Sequence, residues 1–180
     1  MKKPSPVFQS VKSLTVAAML TALSVVIGIF CKSFLNFGNG LFRITFENLP
    51  VLLSSLLFGP LVGGMVGAAS DLISYLLSPQ TYPPNLIVTA GAAVIGILSG
   101  ILFRLPIKSL TARTLLAVSV AHAVGSMTVK SIGLFQFYSW AVLWRVPIYL
   151  IIALLEALIL CWLFRRRSFL RLLGEIKEHL

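Results

Sequence analysis

Arg43 and Glu47 stand four residues apart in the run Arg43-Ile-Thr-Phe-Glu47-Asn48-Leu-Pro50, at the mouth of a long apolar stretch. At that spacing they share one face of a helix beginning near residue 43. Asp71 and Tyr75 share a face of the next apolar segment in the same way, with Asp71 about 9 Å, or two turns, from its end. Lys130 and Arg145 sit at a similar level on two later segments, and Asn85 and Thr89 mark the start of another. Ionisable groups in hydrocarbon cost roughly 2.5–3.5 kcal/mol each on insertion scales, and they persist where they face a polar cavity or one another. Two readings are open. Internal ion pairs, Asp71 with Lys130 or Glu47 with Arg43, would brace a bundle and bind nothing. Alternatively, the groups converge on a small-molecule cavity, which explains the whole set better because five segments contribute at one depth. A flat ligand has Phe34, Phe37, Phe42, Phe46, Tyr82, Phe135, Phe137, Tyr138 and Trp140 to stack on, although each also suits an interfacial anchor. The candidate binding residues are Phe42, Arg43, Glu47, Asp71, Tyr75, Asn85, Thr89, Lys130 and Arg145.

Binding, not catalysis, is the chemistry on offer. The sequence has no GxxxxGK[ST] phosphate loop, no HExxH and no GxSxG. Its two cysteines, Cys31 and Cys161, lie far apart in apolar runs, without a CxxC or a Cys/His grouping, and read as buried thiols. No metal site and no cofactor is expected. His122 is alone on its segment and reads as a hydrogen-bonded structural residue. Glu156 lies deeper than the polar set, toward the opposite end, where it pairs with an inner charge or contacts a partner.

The elements that must hold these groups are membrane helices. Of the 180 residues 58% are hydrophobic and only 11% charged, where a soluble domain carries about 25%. The lipid bilayer is the implied solvent, and the fold class is an all-α integral membrane bundle. Six spans are predicted, over 13–31, 46–58, 61–77, 86–103, 114–134 and 144–164, the second short and joined to the third by a tight turn at Gly59-Pro60. Polar connections fall at 32–45, 78–85, 104–113 and 135–143, and 169–180 has the spacing of a surface helix. Net charge is +10, but eleven of the fifteen basic residues fall on the side of the two termini, the others being Lys32, Arg43, Lys130 and Arg145. The positive-inside rule then makes both termini cytoplasmic and the polar set extracellular. Basic residues at span ends also argue against nucleic acid as a partner. The N-terminus has the charge of a signal peptide, but the first apolar segment is long enough to span and reads as a retained helix. Small residues four apart (Gly63 and Gly67; Ala92, Gly96 and Gly100; Ala121 and Gly125) suit close helix packing. Ala18 and Ala22 on the first span suit packing or docking equally.

Taken together, Arg43-x-x-Phe46-x-Asn-Leu-Pro50, Phe58-Gly59-Pro60-x-x-Gly63-x-x-x-Gly67 and Asp71 resemble the substrate-binding S components of energy-coupling factor (ECF) vitamin transporters of prokaryotic cell membranes, the folate branch most closely. The Tyr82-Pro83-Pro84-Asn85-Leu86 stretch departs from the glycine-containing loop expected there. The resemblance implies a subunit that captures a vitamin outside the cell and delivers it through a transmembrane scaffold and two ATPase subunits, with Ala18 and Ala22 docking on the scaffold. Folate fits the residues: its ring hydrogen-bonds to Asp71, Glu47 or Asn85, and its dianionic tail meets Arg43, Lys130 and Arg145. Riboflavin or another vitamin-like molecule on the same scaffold is the alternative, as is a structural protein without a ligand.

Overall fold

A computed structural model of the chain describes residues 11–37, 42–77, 85–166 and 169. The connection around Tyr82 lies outside the described residues, and of the expected surface helix over 169–180 only Phe169 is described, edge-on to Phe164.

The described residues are helical almost throughout. Helix α1 (Val11–Phe34) leads into a two-residue hairpin, β1 (Asn36–Phe37) and β2 (Phe42–Arg43), then α2 (Asn48–Phe58), α3 (Pro60–Leu77) and α4 (Leu86–Leu102). Helix α5 (Leu110–His122) passes into a π-helical segment (Ala123–Lys130), α6 (Ser131–Tyr138) and a 3₁₀ turn (Ser139–Trp144) before α7 (Arg145–Arg165). Among the described residues, three stretches are long and apolar enough to cross a membrane: Ser13–Phe34, Pro60–Leu77 and the run Leu110–Arg165. Asn48–Phe58 and Leu86–Leu102 are shorter apolar helices.

Three expectations change. Arg43 sits on strand β2, paired with Asn36, and not on a helix, since α2 begins only at Asn48. The predicted span over 114–134 is a composite of α5, the π segment and part of α6. The predicted polar connection over 135–143 is largely helical, its apolar side chains Phe135, Trp140 and Leu143 being exposed as lipid-facing groups are.

Local chemistry sets the helix ends. Gly59 takes φ +104°, a backbone form that a side chain would strain, and Pro60 opens α3 with its φ already suited to a first helical turn. The Asn85 side chain caps α4 by accepting from Ile87 N–H at 2.9 Å, and Ser109 caps α5 by accepting from Ala112 N–H at 3.3 Å.

The interior forms along small-residue seams. A Cβ added at Gly63 would meet the Gly96 carbonyl at 2.8 Å, and one at Gly100 would meet Pro60 at 2.7 Å, so α3 and α4 lie backbone to backbone. The hydroxyls of Ser55 and Ser99 join α2 to α4 at 2.6 Å inside this seam. Leu52, Ile95, Val118 and Leu160 fill the centre. The outer surface is inverted relative to a soluble protein: Leu150, Ile151, Leu154, Leu155, Leu158, Ile159 and Trp162 of α7 are all exposed. On α1 the buried face is Ala17, Leu20, Ser24 and Val25, leaving Ala18 and Ala22 pointing away from the bundle. Among the described residues both side chains are exposed, so no described helix packs over that pair.

Replacing Gly96 with valine forces α3 and α4 apart. We expect a loss of about 1–3 kcal/mol, the usual cost of overpacking, read as a lower thermal midpoint of the detergent-solubilised protein.

Candidate functional site

At one end of the bundle α1 and α3 finish while α2, α4 and α7 begin. The helix dipoles there largely cancel, leaving side chains to decide the sign of the potential. A polar cavity occupies this end, lined by Lys32, Arg43, Glu47, Asp71, Tyr75, Asn85, Thr89, Lys130, Arg145 and Tyr149 among others.

Its organising group is Glu47, just ahead of α2. The Ser24 hydroxyl on α1 donates to the Glu47 carbonyl at 2.6 Å, fixing the backbone. The carboxylate passes close to α1 at Gly28, where a Cβ would come within 2.8 Å of Oε2. Arg43 Nη2 donates to Oε2 at 2.7 Å, and Lys130 Nζ lies 3.7 Å from Oε1. Lys130 also reaches Asn48 Oδ1 at 3.5 Å. Its stem crosses α4 at Gly91, where a Cβ would stand 2.6 Å from Lys130 Cγ. A bare position on α4 is thus the condition for that lysine to reach the cavity.

The second carboxylate, Asp71, accepts from Thr89 Oγ1 at 2.7 Å, tying α3 to α4. Lys32, at the end of α1, donates to Ser74 Oγ at 2.7 Å. Arg145, buried at the start of α7, lies over the Tyr138 ring at 4.8 Å and donates to Tyr149 Oη at 3.5 Å. Asn85 faces the cavity but is largely engaged in structure, capping α4 and donating to the Gly133 carbonyl at 2.5 Å. Four cations against two carboxylates leave the lining with two net positive charges. The open room at the centre is only about 60 Å³, far below the roughly 300–1,000 Å³ of sites for drug-sized ligands. A drug-sized molecule does not fit in that room with the side chains where they stand.

The structure brings together eight of the nine candidate residues. Phe42 is the exception, half-exposed on the hairpin and outside the lining. The expected aromatic platform is also different. Phe135 and Trp140 meet edge to face at 5.4 Å beside a separate apolar groove, whereas among the described residues the aromatic rings facing the cavity are Tyr75 and Tyr149. Lys32, Thr45, Asn48 and Tyr149 join the lining without having stood out as binding groups in the sequence. Lys32 does carry a signal there, as one of four basic residues at this end, but a charge at a span terminus reads first as an interfacial anchor. His122 and Glu156 bond to each other at 2.6 Å, away from the cavity lining. Of the two ion pairs open in the sequence, Glu47 with Arg43 is formed and Asp71 with Lys130 is not; Lys130 lies against Glu47 instead.

Residues 12–168 match the family model of the ECF transporter substrate-specific component. The folate transporter FolT of Clostridium novyi (strain NT) is 32% identical over 116 residues, 63% of this chain and 64% of that protein. The chain thus spans a little under two thirds of the length of the relative it matches. Among solved structures, FolT bound with folic acid superposes with a TM-score of 0.61 over 84% of this chain and 89% of its own, at 24% identity. The S component of a bacterial ECF transporter superposes with a TM-score of 0.57 over 87% and 95%, at 22% identity. At these identities the likeness establishes the fold.

Removing Glu47 leaves Arg43 and Lys130 facing each other without their counter-charge. We expect Glu47→Ala to cost about 3 kcal/mol, the lower end for breaking a mostly buried pair, seen as a lower thermal midpoint that the isosteric Glu47→Gln only partly recovers.

Proposed function

Because this chain belongs to the ECF transporter substrate-specific component family, we propose that it is the membrane subunit that captures folate outside the cell for ATP-driven uptake. The observation that carries the reading is the cavity's charge. Lys32, Arg43, Lys130 and Arg145 surround Glu47 and Asp71, leaving two positive charges for the two carboxylates of a folate tail. Guanidinium groups bind carboxylates bidentately, which suits Arg43 and Arg145 to that end. Asp71 offers acceptors to a donor-rich pterin ring, and Tyr75 and Tyr149 supply faces for it. The relative named for folate transport and the structural neighbour that holds folic acid support the choice of vitamin.

In this reading α1, α2, α3, α4, the composite α5–α6 and α7 are six passes through the plasma membrane of a prokaryote, with both termini cytoplasmic. The cavity opens outward, where the vitamin is. A family member of this kind is a binding subunit and not an enzyme; ATP hydrolysis falls to two ATPase subunits joined through a transmembrane scaffold. The outward face at Ala18 and Ala22, left unused by the bundle, is the surface for that scaffold.

Capture is tested directly. Purified protein should bind folate at one per chain, and Arg43→Ala should bind it 10–100-fold more weakly while still inserting, the cost of about 1.5–3 kcal/mol for a lost charge-assisted bond. Retention of a flavin in place of a pterin, or unchanged affinity in Arg43→Ala, would contradict this assignment. Docking is tested separately: Ala18→Trp with Ala22→Trp should leave folate affinity within twofold and abolish uptake in cells that supply the partner subunits.

A further inference from the structure

Beneath the cavity lies a buried polar triad of which Ser126 alone reaches the cavity lining. His122, the last residue of α5, is 1% exposed, and Glu156 on α7 is fully buried. His122 Nε2 and Glu156 Oε2 are 2.6 Å apart, and His122 Nδ1 is 3.1 Å from Ser126 Oγ. Both ring nitrogens are therefore engaged, Nε2 by the Glu156 carboxyl group and Nδ1 by the Ser126 hydroxyl. Around the triad stand Ala117, Val118, Ala121, Ala157 and Leu160, all fully or nearly fully buried. Among the described residues Glu156 Oε1 has no hydrogen-bond partner, and His122 supplies the one hydrogen bond seen to the carboxyl group. In such surroundings a satisfied hydrogen bond is strong and its loss expensive.

The place of the triad in the chain gives it a consequence. At His122 the backbone changes from α- to π-helical, and it stays so to Lys130. Two hydroxyls follow the wider register, Thr128 Oγ1 donating to the Ala123 carbonyl and Ser131 Oγ to that of Ser126, each five residues back. A π turn holds more residues than an α turn, and each residue of register shift rotates the downstream helix by about 100°. Lys130, at the end of the segment, owes its direction to this count. Ser126, held by the His122 ring, lines the cavity floor.

We propose that the His122–Glu156 pair is a positioning element for ligand capture: it locks the start of the π segment to α7 and so aims Lys130 across Gly91 at the anionic part of the ligand. The proposal rests on the folate reading for the identity of that ligand, but not for the geometry it describes. A pair that merely stabilised the bundle would lower stability without regard to Lys130.

The test is a double-mutant cycle in purified, membrane-reconstituted protein. Folate affinity is measured for wild type, Glu156→Leu, Lys130→Ala and the two combined, with Glu156→Gln as the conservative control. We expect Glu156→Leu to weaken folate about tenfold, the double variant to bind no more weakly than Lys130→Ala, and Glu156→Gln to stay within threefold of wild type because its amide can either accept from Nε2–H or donate to a bare Nε2. If the two losses multiply, the pair does not act through Lys130 and the proposal fails. A ligand-free readout accompanies the cycle: modification of Lys130 by a water-soluble amine reagent, followed by peptide mass spectrometry. It should quicken at least fivefold in Glu156→Leu and not in Glu156→Gln, and an unchanged rate overturns the proposal. Should wild type bind no folate, the folate reading falls and the labelling rates alone decide the positioning role. If Glu156→Leu does not purify as a monodisperse protein, His122→Phe with Glu156→Leu, which removes both polar partners together, replaces it in the cycle and the labelling.

Discussion

Glu47 is the group on which the polar end of this bundle depends. Four basic side chains reach one small cavity in a protein whose helix flanks are dressed for hydrocarbon. Like charges at such range in a medium of low polarity repel strongly, and each also loses hydration on entering. Glu47 answers two of them at once, Arg43 from the hairpin and Lys130 from the π segment. The Ser24 hydroxyl holds its backbone, and the bare Gly28 lets its side chain lie against α1. The charge pattern and the chain path are therefore one problem, solved at a single residue.

The same economy recurs in the backbone seams. Glycines on α3 and α4 allow contact close enough for the Ser55–Ser99 hydrogen bond between α2 and α4. Gly91 on α4 serves a different purpose, since it leaves a groove for the stem of Lys130. Small residues that look alike in a string of letters thus divide into those that admit another backbone and two, Gly28 and Gly91, that admit a functional side chain.

Much of this is legible in the residues, for physical reasons that also mark where legibility ends. Apolar runs and flanking charge give the helices, because length and greasiness are all that a bilayer demands. The Arg43–Glu47 pair is visible at a spacing of four, yet it forms across a strand and a turn and not along a helix, a distinction that spacing alone does not carry. The tertiary partner of Glu47, Lys130, is 83 positions away and pairs on paper with Asp71 as readily. The π segment is invisible, since a change of register leaves composition untouched and hydrophobic periodicity is too coarse over eight residues to reveal it. Phe135 and Trp140 read as stacking groups because an aromatic at a membrane interface and an aromatic in a cavity look the same until a backbone orients them.

The outward strip on α1 has a kinetic corollary. Alanine has no side-chain rotamers to freeze, so a helix settling against Ala18 and Ala22 gives up no rotational freedom from them. With little ordering to undo on separation and no interlocking branches to withdraw, such a strip favours contacts that form and dissolve quickly. Ala18 and Ala22 leave a shallow strip beside the larger exposed side chains Met19, Leu23 and Val26 of the same helix.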